Sequence, residues 1–177
     1  MARVLTPIVD RNGKATRVWK NPDAKTRELP DVGSSSKFGV AGAYDYAASV
    51  AEEDEYMKEV ILPILTEFKS RYGEPECGRT RAVFDMGNGY VIKVPIDYEG
   101  MMASSNEFST FEMEDSFIPV AECYFSREFE QPLLIMEKVD TSRNRRPDYK
   151  DLPNWVGFVD GGQVGYDSKG RLVAYDL

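Results

Sequence analysis

The chain contains no histidine. That absence removes imidazole zinc sites, Ser-His and Cys-His nucleophile systems and the commonest general base. Cysteine is scarce as well. Cys77 and Cys123 stand in different segments at no metal-ligand spacing, so they read as free thiols of a reducing compartment, with a single disulfide between them left open. Any resident metal would then be a hard cation on oxygen ligands. Basic charge is in deficit, with 22 Lys and Arg against 30 Asp and Glu and a formal net charge of -8. Such a chain lacks the basic stripe of a nucleic-acid binder and suits a protein partner with a basic surface, or a bound cation. No apolar run is long enough to span a bilayer, and the N-terminus has no signal-peptide core. A cytoplasmic protein without membrane contact is expected.

What remains is sufficient for a core. At 177 residues, 42% hydrophobic and 12% aromatic, the chain is one domain or one domain with an N-terminal extension. Two β-type runs, 4–9 and 16–19, flank Asn12-Gly13 and predict a hairpin. Residues 21–42 are rich in Pro, Asp, Gly, Ser and Lys and read as a surface loop. From about Tyr44 to Tyr72 apolar residues recur at three- and four-residue steps, which predicts a helix that Pro63 kinks or splits and Gly73 ends. The acidic run from Glu52 to Glu55 fits the positive end of a helix dipole.

After Gly78 the pattern shortens to strands. Residues 81–85 and 90–94 surround the turn Met86-Gly87-Asn88-Gly89, a helix is expected near 102–113 with Ser104 or Ser105 as cap, and strands follow near 119–125 and 132–139. A basic linker, 141–151, carries Arg143, Arg145 and Arg146; in so acidic a chain it is expected to pair with the acidic helices rather than bind nucleic acid. A last hairpin turns at 167–170 and ends on Asp176. The expected fold is α+β: a twisted antiparallel five-stranded sheet with a companion helix, a C-terminal β-hairpin, and a hairpin-plus-helix extension over 1–75 before a domain over 76–177.

Lys93 stands inside the apolar run Tyr90-Val91-Ile92-Lys93-Val94. Lysine is rarely buried without a partner, so its ammonium is expected to meet an acid. Glu107 lies in the following helix, with Glu112 and Glu114 as alternatives, and Asp176 closes the last strand. Each has a plainer reading alone: a snorkelling lysine, a surface acid, a chain-end carboxylate. Taken in order, hairpin, lysine strand, glutamate helix, two strands, linker and aspartate hairpin resemble the small lobe of the protein-kinase fold over about 76–177. More narrowly, they resemble small kinase-like proteins of tailed bacteriophages.

The resemblance implies roles. Lys93 would pair with nucleotide phosphates and with Glu107, the backbone of Glu137 and Val139 would meet an adenine edge, and Gln163 and Asp176 would hold a metal; ATP and magnesium are the cofactors it brings. Gln163 and Asp176 are thirteen positions apart, as in ordinary kinases. The departures fall on chemistry. Five places before Gln163, where the base belongs, stands Phe158, and Asp160 serves only with a remodelled loop. Gln replaces Asn at a metal ligand, and the phosphate-covering loop has one glycine, Gly78. The interval from Val139 to Gln163 is too short for a large lobe, and no activation segment follows Asp176. A catalytically degenerate kinase-like binding or regulatory protein is expected, phage-encoded and acting on a host protein in the host cytoplasm. The alternative is a minimal Mg-ATP-dependent phosphotransferase or nucleotide-binding protein.

Overall fold

The computed structural model describes residues 4–9, 15–20, 42–142, 151–159 and 162–177. The turn at 10–14, most of the loop over 21–42, most of the basic linker and Asp160 lie outside the described residues. The fold is α+β. Strands β1 (Val4–Val9) and β2 (Ala15–Lys20) pair antiparallel. Two helices follow, α1 (Ala43–Ala51) and α2 (Leu62–Tyr72). The break between them falls at Glu52–Asp54 rather than at Pro63. There the Asp54 carboxylate accepts from the amides of Tyr56 (2.9 Å) and Met57 (3.2 Å) and starts the chain into a new helical run. Its first turn, Met57–Ile61, is π-helical, and Pro63 sits at the start of α2 just beyond it. Widening the coil at that point removes the carbonyl against which the proline ring would otherwise collide. Gly73, at φ 88°, ends α2 as its sequence position implied.

The central sheet is antiparallel and five-stranded: β3 (Glu76–Cys77), β4 (Arg81–Asp85), β5 (Tyr90–Pro95), β6 (Cys123–Ser126) and β7 (Leu133–Glu137), in the spatial order β3-β4-β5-β7-β6. Helix α3 (Tyr98–Glu112) connects β5 to β6. It begins earlier than expected. Asp97, not Ser104 or Ser105, is its cap, accepting from the Gly100 amide at 2.7 Å, and Ser104 is buried in mid-helix.

Side chains alternate across a strand, so the register fixes two faces. Ala82, Phe84, Ile92, Val94 and Ile135 pack with Ile61, Leu65 and Phe68 of the α2 run. Val91, Leu134, Met136 and Cys123 pack with Phe108 of α3. Helices therefore cover both faces, which is why β7 reads as an unbroken apolar run, as a strand buried on both sides does. A final hairpin, β8 (Val164–Tyr166) and β9 (Leu172–Ala174), is laced to the body by bridges from Val120 to Ala174 and from Asp140 to Tyr166. Among the described residues no helix is long and apolar enough to cross a membrane.

Candidate functional site

Lys93 is opposite Val83 on β4 and Leu134 on β7, so its side chain shares the α3 face of the sheet with Val91 and Met136. It is 4% exposed. Such an ammonium needs acceptors, and it has two: Nζ donates to Glu107 Oε2 at 2.8 Å and to the Tyr175 carbonyl. Glu107, 0% exposed, is on the buried stripe of α3 with Gly100, Ser104 and Phe108. Helix phase thus selects it over Glu112, at the end of α3, and Glu114 beyond it.

A second cation meets the same acid. Arg81, at the start of β4, donates from Nη2 to Glu107 Oε1 at 2.6 Å, and from the same nitrogen to Asp176 Oδ1. The Leu177 amide closes the group with a 3.3 Å bond to Glu107 Oε1. The β8–β9 hairpin delivers this segment: Ala174 is bonded to Pro119 and Ala121, and the Tyr175 amide donates to the Gln163 carbonyl at 3.1 Å. The close approach of α3 to β4 requires Gly100, because a Cβ there would run into the Thr80 carbonyl oxygen.

Burial and charge compete within this cluster. Burial alone would raise the Glu107 carboxyl, but Lys93 and Arg81 outweigh it and hold it below the ordinary carboxylate value. Glu107 is therefore ionised. Burial also lowers Lys93, against the pull of Glu107. Asp176 is raised, by burial first and by Glu107 beside it, with Arg81 and Lys93 opposing. Arg81 keeps one buried nitrogen, Nη1, with no hydrogen-bond partner among the described residues.

The cluster forms one end of a cleft of about 830 Å³, within the usual range for small-molecule sites. Val83, Val91 and Met136 wall it, Lys93, Arg81 and Asp176 reach it, and Glu137, Val139 and Gln163 also line it. The Glu137 carboxylate is turned to the Ser168 amide at 2.8 Å, while the Val139 amide has no hydrogen-bond partner among the described residues. Five residues expected at a nucleotide site, Lys93, Glu137, Val139, Gln163 and Asp176, thus line one cleft, with Glu107 directly behind Lys93. Asp160 lies outside the described residues, and Phe158 is in a 3-10 turn, 70% exposed.

Arg81 is the residue that sequence reasoning missed. Its signal was slight: a basic residue opening a strand whose next residues are apolar, two strand positions from the level of Lys93. Its presence bears on the metal. A divalent cation needs free carboxylate oxygens. Asp176 instead gives one oxygen to a guanidinium, and Glu107, the carboxylate beside it, is held by Lys93 and Arg81. With both carboxylates of the cluster bonded to cations of the chain itself, the residues present fit magnesium poorly. Comparison with family models, curated proteins and solved structures returned no match.

Proposed function

We propose that this chain is a binding protein on a degenerate kinase-like small lobe, one that recognises another protein and does not transfer phosphate. Support for the scaffold comes from the strand order β3-β4-β5-β7-β6 with α3 between β5 and β6, and from the Lys93–Glu107 pair at 2.8 Å. The observation that carries the loss of catalysis is the bond from Arg81 to Asp176: the acid that would hold a metal is spent on a cation of the chain itself. Phe158 in the register of the base agrees with it.

Recognition of a protein has its own support. The net charge of -8 favours a basic partner, through faster association and partner choice more than through affinity. Phe117 and Phe158, both exposed, meet edge to face with centroids 5.4 Å apart and offer an apolar contact beside that charge. If the chain is phage-encoded, the partner is a host protein. Incubation with labelled ATP and magnesium tests the reading. Wild type is expected to transfer no label to itself, to water or to an added protein, and to match Asp176→Ala.

The second reading, a minimal Mg-ATP-dependent phosphotransferase, is favoured by the nucleotide-sized cleft beside Lys93. Label transfer that disappears in both Lys93→Ala and Asp176→Ala would establish it and refute the first.

A further inference from the structure

Among the described residues, the charged side chains that line the cleft balance. Four basic residues, Arg79, Arg81, Lys93 and Lys138, face four acidic ones, Glu76, Glu99, Glu137 and Asp176, so no excess of positive charge awaits a polyphosphate. Each cation also has an acid partner, although Arg81 Nη1 itself is unpaired among the described residues. Arg79 bonds Glu99 at 2.6 Å, Lys138 bonds Asp85 at 2.5 Å, and Lys93 and Arg81 share Glu107. In ordinary nucleotide sites a divalent cation neutralises the phosphates. Here a third positive centre beside Asp176 would be placed close to Arg81, which already bonds that acid, and charges of like sign repel.

Apolar side chains flank Lys93 on the same face of the sheet. Val83, Val91 and Met136 form apolar walls, and the Val139 amide, without a hydrogen-bond partner among the described residues, offers a donor in the same cleft. A flat ligand with an acceptor on its edge satisfies both features at the cost of little desolvation.

We infer that Arg81 is a built-in counter-cation standing where a metal ion would stand, so that the cleft takes an uncharged ligand of the nucleoside class, without metal, in preference to a metal-bound triphosphate. The inference rests on the kinase-like reading of the cleft and adds the class of ligand to it. It makes Arg81 the residue that sets specificity. By bonding both Glu107 and Asp176 it removes the metal site and, with Lys93, sets two basic groups against two acidic ones.

Thermal unfolding with adenosine or ATP, each in magnesium and in EDTA, tests it. At an excess of ten times Kd, adenosine is expected to raise the wild-type melting temperature by roughly 3 °C or more, equally in both buffers. ATP is expected to give a smaller shift, unchanged by magnesium. Asp176→Asn keeps Arg81 but leaves the cluster one positive charge in excess, so its shift with ATP in EDTA should rise relative to that with adenosine. Arg81→Met, if it folds, frees Asp176 and should make the ATP shift depend on magnesium. A wild-type ATP shift that grows with magnesium, or exceeds that of adenosine in EDTA, overturns the charge argument while leaving the cleft as a ligand site. No shift with either compound overturns the inference and the cleft together; neither result bears on label transfer, which tests the loss of catalysis separately.

Discussion

At the scale of single residues, a buried acid held by two cations decides the behaviour of the site. Breaking such a group by removing one partner leaves uncompensated charge in the interior, so Glu107→Gln should cost about 3–5 kcal/mol of stability at pH 7, measured by urea unfolding. The pH dependence follows from the directions of shift. Glu107 is lowered in the fold, so its contribution is present above the ordinary carboxylate range and is lost as pH falls through its lowered pKa. The gap between wild type and Glu107→Gln should therefore narrow below about pH 4. Asp176 is raised and has the opposite sign: its contribution is present in acid and lost as pH rises through its value, and Asp176→Asn should remove that slope. Burial also governs the thiols. Cys77 is pushed up to about 11, from 9.0, and Cys123 is raised further. Cys77 should therefore react with iodoacetamide at pH 8 roughly 100-fold more slowly than an unperturbed thiol, because the thiolate is the nucleophile. Lys93 was legible because a charge inside an apolar strand is costly unless paired. Arg81 was not, because a basic residue at the start of an edge-side strand looks like an ordinary solvated position until α3 is laid across it.

At the scale of elements, the site depends on how closely α3 lies on β4. Gly100 permits that approach against the Thr80 carbonyl, and Gly100→Ala should lift the helix, part Arg81 from Glu107, and cost about 1–3 kcal/mol. Asp97→Ala removes only the cap and should cost about 1 kcal/mol, without the change in the acid limb that parting Arg81 and Glu107 produces. Comparing the two by urea unfolding at pH 7 and at pH 4 separates helix stability from helix position. The start of α3 was misread because Ser104 is a good capping residue by type, while Asp97, next to the end of a strand, is the one whose backbone is extended. Pro63 was a sound breaker signal, but a π-helical turn ahead of it lets the helix pass. Turn chemistry was more transparent: Gly87 and Gly89 take positive φ where the sequence placed the β4–β5 turn.

At the scale of the whole molecule, one sheet separates two jobs. On one face α1 and α2 bury an aromatic core in which Phe68 meets Tyr72, Phe84 and Phe129, each edge-on at 5.3–5.7 Å. The other face holds α3, the charge cluster and the cleft. Phe68→Ala should therefore cost about 3–5 kcal/mol in urea unfolding, yet leave ligand affinity of the folded fraction unchanged. The alternation of apolar residues made the strands and the order of elements legible. It could not show that the helices over 43–72 cover the second face, since no local pattern states which surface an amphipathic helix meets. Nor did it show that a cation of the chain itself occupies the acids. That last point is the centre of this account, and a double-mutant cycle on Arg81→Met and Asp176→Asn, read by urea unfolding in EDTA, tests it most directly. Because Asp176 is partly exposed, the account predicts a favourable coupling in the lower half of the range for contacting residues, about 1 kcal/mol. Costs that add to within about 0.3 kcal/mol would contradict it, because the two side chains would then be independent and the acid free for a metal.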